Sequence, residues 1–137
     1  VATVPSVRLV DLPIITDSRG SLSFAECEGL LPFVPKRYFI VFDVPAGQVR
    51  GAHAHRTTHQ FLVCVKGSVS IVVDDGQNKE EIVLKSPASG LYIPPGVWAT
   101  QQNYSSDAVL LVLSSDAYDP AEYITDYDGF RSATTPR

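Results

Sequence analysis

Apolar residues along this chain rarely recur at helical spacing. Short β-branched and aromatic runs, separated by Gly, Pro and Asp, return about every ten residues instead, which is the pattern of an all-β sandwich or barrel. The runs SVRLV, GSLSFAE, KRYFIVFDV, HQFLVCVKG, SVSIVVDD, KEEIVLK, SGLYIP, VWATQQN and AVLLVLSS read as strands. Asp74 to Asn78 reads as a hairpin turn, with Gly76 free to take positive φ. After the last strand, Asp119 as N-cap and Pro120 at the first helical position predict one short helix. A strand set this dense has to close its edges. A small double-sheet jelly roll does so and leaves an interior that can hold a ligand. With no internal repeat or linker, residues 1–137 read as a single domain. The lack of an initiator Met suggests a trimmed start, and residues 131–137 read as a flexible tail.

Composition narrows the function classes. At 137 residues, with 45% hydrophobic and 19% charged residues and a net charge of -4, the chain can bury a core and carries no basic footprint for nucleic acid. There is no run apolar and long enough to span a membrane, and no signal-peptide pattern. Cys27 and Cys64 form no disulfide framework, so a reducing, cytoplasmic compartment is expected. Cys64, flanked by valines, reads as an inert core thiol.

The candidate chemistry lies in GAHAHRTTHQ, residues 51–60, which holds all three histidines of the chain. If the segment is extended, His53 and His55 share one face, and His59, next to Gln60, faces away from it. An imidazole titrates near pH 6.5 and so suits general acid/base work at neutral pH. The spacing Gly47-x5-His53-x-His55-x4-Gln60-x6-Gly67 resembles the first cupin motif, and Pro94-x-Gly96-x2-Ala99-x3-Asn103 resembles the second. In metal-binding cupins the positions of Gln60 and Ala99 hold a glutamate and a histidine ligand. Two of four ligands are therefore replaced, and no metal is expected, since an amide oxygen substitutes poorly for a carboxylate. A metal-dependent cupin enzyme stays open as a rival because the two histidines are intact.

From about residue 11 to residue 130 the chain resembles the sugar 3,4-ketoisomerase cupins. The resemblance is carried by DSRGSL (17–22), the stretch from Pro35 through the histidines to Gly76, SPASGLYIPPGVW, and the ending YDPAEYITDYDGF. It implies a cupin jelly-roll and an isomerase that converts dTDP-4-oxo-6-deoxyglucose to its 3-oxo isomer, on the way to a 3-amino deoxysugar. It also implies that no cofactor is needed, and that the protein is a homodimer exchanging N-terminal strands. Onto this chain it carries His53 as the base and His55 as its support. Arg19, Arg37, Arg50, Gln60 and Trp98 follow as substrate-binding residues, the arginines for the diphosphate and the developing oxyanion. Tyr92 and Tyr104, beside Trp98, are secondary candidates for stacking on a ring.

Two positions depart from that family. The tyrosine that assists proton transfer falls on Phe39, which has no proton to give, and Tyr38 lies one residue off, on the other strand face. The position after Trp98, usually histidine or arginine, is Ala99. In the family Arg19 goes with a galacto-type product, and Ala99 supports neither configuration. These departures keep a second rival open, a weakly active or non-catalytic sugar-nucleotide-binding cupin. Asp116, Asp119, Glu122, Asp126 and Asp128 lack the loop spacing of a calcium site and read as a solvated helix face. The serines show no base-and-orienter arrangement for a hydrolase.

Overall fold

The expected runs become strands, and three more strands lie between and after them. The computed structural model describes residues 3–134. Its strands are β1 (Arg8–Asp11), β2 (Ile14–Asp17), β3 (Gly20–Ser23), β4 (Arg37–Phe42), β5 (Arg50–His55), β6 (Gln60–Lys66), β7 (Val69–Asp74), β8 (Lys79–Leu84), β9 (Ser89–Ile93), β10 (Trp98–Gln102), β11 (Val109–Ser114) and β12 (Tyr123–Ile124). One five-stranded sheet runs β1-β9-β6-β11-β4 and the other β12-β5-β10-β7-β8, while β2 and β3 form a separate hairpin. This is the jelly-roll expected from the strand density.

Alternation along the strands builds the core. In the first sheet Leu62, Cys64, Leu91, Leu110 and Val112 point inward and meet Val69, Ile71, Val73 and Leu84 of the second, all essentially without solvent exposure. The intervening Phe61 and Val63 point to the other side of β6 and pack with Leu12 and Leu31. The turn between β7 and β8 is the one expected, with Gly76 at φ 90° and Asp75 accepting from the backbone of Gln77 and Asn78.

The helix falls elsewhere than expected. Asp119 does cap, accepting from Ala121 N at 3.0 Å, but the segment is only a 3-10 turn, Pro120–Glu122. The chain then returns at once as β12 to pair with β5. The helix proper, α1, spans Tyr127–Thr134, so residues 131–134 continue a helix rather than a tail. Its anchors are Tyr127 and Phe130, which pack on Trp98. Tyr127 and Phe130 are its only large apolar side chains, and tertiary contact decides so short a helix. Residues 1, 2 and 135–137, and with them the expected trimmed start and the end of the expected tail, lie outside the described residues. No helix among the described residues is long and apolar enough to cross a membrane.

Close approach of the Phe61 ring to β9 requires glycine at position 90. A Cβ there would stand 2.0 Å from Phe61 Cζ, and a fully buried ring cannot swing away. Gly90→Ala is therefore expected to lower unfolding free energy by about 2 kcal/mol, read as a shift of the urea midpoint at unchanged slope.

Candidate active site

Strand β5 is extended, so His53 and His55 point into the barrel while Ala54 between them packs outward against Trp98. Opposite His53, across the ladder, stands Ala99. The register then slips by one residue between Ala99 and Gln101, with Gly51 of β5 at φ 69°, the signature of a bulge at a barrel rim. Tyr123 of β12 reaches over both imidazoles, its ring 4.8 Å from that of His53 and 4.6 Å from that of His55. The two imidazoles meet edge to face at 4.9 Å.

Between β4 and β5 lies a cavity of about 220 Å³, with His53, Arg50, Gln60 and Gln101 as polar lining and Phe39 and Val41 as apolar lining. That is smaller than the usual drug-sized pocket and suits a single sugar ring. Phe39, Val41 and Arg50 also line a wider groove of about 550 Å³ that follows the β4 edge from Phe39 to Arg50. Cavity and groove therefore adjoin, with Arg50 at the junction.

Burial sets the protonation of the histidines. Withdrawal from water lowers the His53 pKa below its ordinary value. His55, only 6% exposed, is pushed down to about 4, chiefly by burial, with His53 and Arg37 adding repulsion and Glu122 and Asp116 opposing it. Neither ring nitrogen of His55 has a hydrogen-bond partner among the described residues. Both rings are thus neutral near pH 7, and a neutral imidazole is the form that accepts a proton.

The loop after β5 is fastened from the far end of the chain. Glu122 accepts from the backbone N–H groups of Thr57 and Thr58, the latter at 2.6 Å, and Thr58 Oγ1 donates to Asp116 at 2.9 Å. Burial acts to raise the Glu122 pKa, but these hydrogen bonds together outweigh it and hold the carboxyl below its usual range. Asp116, Asp119 and Glu122 are therefore loop anchors and a cap, not the helix face expected for them. Among the described residues no group of three or more His, Cys, Asp or Glu side chains is gathered as a metal ion would need.

Of the residues singled out in the sequence, His53, Arg50 and Gln60 line the cavity directly. His55 sits behind His53 in a tight recess with Arg37 and Tyr123. Arg37 donates to Tyr123 Oη at 3.2 Å and lies over the rings of Phe39 and Tyr118, at 5.2 and 5.4 Å. Trp98 is not in the cavity. It is buried on the opposite face of its sheet beneath α1, because it shares the parity of outward-facing Thr100 and not that of Ala99. Arg19 is also outside it, on the β2–β3 hairpin, 88% exposed and paired with Asp17 at 2.6 Å. His59 faces away as its neighbour Gln60 requires, stacked on Tyr92 with Nδ1 at 2.7 Å from the phenol oxygen. Tyr38 is exposed while Phe39 lines the cavity. Cys64 is buried, and burial pushes its thiol pKa up. The sequence reading missed Tyr123 and Gln101. Alternation on β10 was a signal for Gln101, whereas Tyr123 sits on a strand of only two residues.

The burial of the two rings yields a titration prediction. In a carbon-detected NMR titration the His55 Cε1 signal is expected to move with a midpoint about 4, and that of His53 below 6.5. A His55 midpoint at 6.5 or higher contradicts the burial argument. The sign for stability follows. As pH falls from 6.5 toward 4 the unfolded chain takes up protons that the folded His55 refuses, so stability falls across that window.

Comparison with known proteins agrees with this geometry. The family model described as FdtA: WxcM-like, C-terminal matches residues 5–135. The TDP-4-oxo-6-deoxy-alpha-D-glucose-3,4-oxoisomerase of Aneurinibacillus thermoaerophilus is 44% identical over 124 residues, 90% of this chain and 89% of that protein. Among solved structures, the WlaRB TDP-quinovose 3,4-ketoisomerase of Campylobacter jejuni superposes with a TM-score of 0.90 at 42% identity, covering 94% of this chain and 99% of the other. A mutant of the 3,4-ketoisomerase QdtA from Thermoanaerobacterium thermosaccharolyticum, in complex with TDP-4-keto-6-deoxyglucose, superposes with a TM-score of 0.92 at 34% identity, covering 96% of each chain.

Proposed function

The chain belongs to the FdtA/WxcM-like family, and from that premise we propose that it isomerises a TDP-4-oxo-6-deoxyhexose to the 3-oxo sugar, with His53 as the base. The observation that carries this reading is a neutral, half-buried imidazole in a sugar-sized cavity with a guanidinium at its mouth. Neutral His53 removes the C3 proton and the electrons pass to the C4 carbonyl oxygen, giving an enediolate. The imidazolium then returns the proton to C4, and the C3 hydroxyl proton passes to the C4 oxygen as C3 becomes the ketone, so that His53 ends neutral. Oxidation at C3 balances reduction at C4, so no external redox partner enters. Arg50, at the junction of cavity and groove, faces the diphosphate or the enediolate charge. Arg37, with its Nε buried and unpartnered among the described residues, adds positive potential behind His55. The free thiols of Cys27 and Cys64 fit a reducing cytoplasm.

Phe39 and Ala99 remove side-chain donors without removing the base. The binding-only alternative therefore has the weaker support, since a binding module has no need of a buried neutral imidazole. In heavy water, the protein supplied with TDP-4-oxo-6-deoxyglucose is expected to place deuterium at C3 of the sugar. His53→Asn is expected to abolish that exchange, a loss of at least about 10³-fold, while TDP still binds. Exchange that persists in the variant defeats the assignment of the base.

We also propose a homodimer with exchanged N-terminal strands. The β2–β3 hairpin exposes Ile15 (55%) and its cross-strand partner Leu22 (58%) on one face and Ile14 (59%) on the other, and a two-stranded hairpin with its apolar side chains uncovered is not stable in water. The β4 edge likewise exposes Tyr38, Ile40 and Phe42 beside the wider groove. A partner's hairpin laid along that groove covers both surfaces and brings its Arg19 toward the Arg50 junction. The test is complementation. Mixing Arg19→Ala and His53→Asn subunits creates dimers with one intact site if Arg19 acts on the partner's cavity. About a quarter of wild-type activity is then expected from two nearly inactive parents. No recovery from two inactive parents places Arg19 in its own subunit's site, and a fully active Arg19→Ala parent places it in none.

A further inference from the structure

Gln101 enters the cavity from β10 on the same face as Ala99, and two features set the place of its carboxamide. The first is Gly51, where a Cβ would stand 3.2 Å from Gln101 Nε2. With φ at 69° in the β5 bulge, this residue is one that a side chain both strains and crowds. The second is Tyr104, whose Oη donates to Gln101 Oε1 at 2.5 Å. Burial pushes the Tyr104 phenol up to about 12, against the opposing effect of Arg50, so it remains a donor throughout the neutral range. With Tyr104 donating to Oε1, the two N–H bonds of Nε2 are left at the cavity wall over Gly51. Phe39, on β4, offers no hydroxyl to the same space.

The geometry points to Gln101 as a residue that contacts the sugar, donating from Nε2 to an oxygen at C3 or C4, with Tyr104 as the positioning residue that aims it. This rests on the sugar-nucleotide reading above and names a donor within it. An uncharged donor has an advantage next to His53. It follows the oxygen from carbonyl to enediolate without adding a positive charge that would further depress the base. It also supplies hydrogen bonding in a cavity where Phe39 and Ala99 supply none.

Binding separates this role from packing. In the His53→Asn background, where turnover is blocked, calorimetry gives the affinity for TDP-4-oxo-6-deoxyglucose and for TDP alone. Gln101→Met, close in volume and without a donor, is expected to weaken the ketosugar nucleotide by about fivefold to tenfold and TDP by less than about twofold. Tyr104→Phe is expected to weaken the same ligand by a smaller factor, and it decides the matter alone if the Gln101 variant does not fold. Because Tyr104 acts through Gln101, the double variant is expected to bind no more weakly than Gln101→Met. Equal losses for both ligands, full additivity, or no loss in either variant overturns the proposal. A parent protein that binds the ketosugar nucleotide no more tightly than TDP overturns it too. A parent that binds neither ligand defeats the isomerase reading along with it, whereas selective binding left intact by the variants defeats this proposal alone.

Discussion

The two-residue period of β5 is the constraint on which the rest of the structure depends. It puts His53 and His55 on the inner wall and Ala54 on the outer face. One strand therefore serves the cavity and the packing of α1 together. Ala54 has no solvent exposure against Trp98 and Phe130, so β5 cannot slip by one residue without driving an imidazole into that cluster and a methyl into the cavity. The outer packing thus fixes the inner chemistry. Tyr123 adds a second constraint, since β12 pairs Tyr123 with His55 and Ile124 with Ala54. Its ring covers both histidines while its neighbour joins the outer cluster.

Burial of these histidines is costly to folding under acid conditions and useful to the reaction. Two imidazoles held edge to face with a guanidinium behind them resist protonation, which keeps them in the form that takes a proton. Arg37 is itself tolerated there because its charge lies over two aromatic rings and donates to Tyr123. Anionic balance comes from the loop side, where Glu122 and Asp116 draw the hydroxyls and amides of Thr57 and Thr58 toward the recess. The segment after β11 therefore clamps the loop that follows β5. A distant segment in sequence controls the geometry of HxH.

Much of this is legible in the sequence, and the parts that are not share a physical cause. Strand positions and the His53/His55 face follow from alternation, a local signal, and Phe39 against Tyr38 was assigned to the correct face by the same rule. Trp98 was not, because its motif position was read without its parity. Counting from Ala99 places it outside, under α1. The helix was misplaced because Asp119 and Pro120 are true capping signals for a turn that tertiary pairing of β12 cuts short. Residues 127–134 become helical through contacts with Trp98 that no local pattern records. The β2 strand carries no buried residue in this chain, and a segment that packs on nothing within the chain leaves little imprint on its periodicity.

That last point bears on how far a single chain specifies its own site. The cavity has an imidazole, an arginine at its rim and two amides, yet the groove that adjoins it is open along the β4 edge. Water entering there raises the local dielectric and weakens every electrostatic contact with a developing oxyanion. The apolar side chains of the exposed hairpin and of the β4 edge are of the kind that exclude water when they meet. A surface that closed the groove would dry the space around His53 and strengthen the pull of Arg50 on negative charge in the cavity. The access of water along the β4 edge thus sets the electrostatics of the cavity beside it.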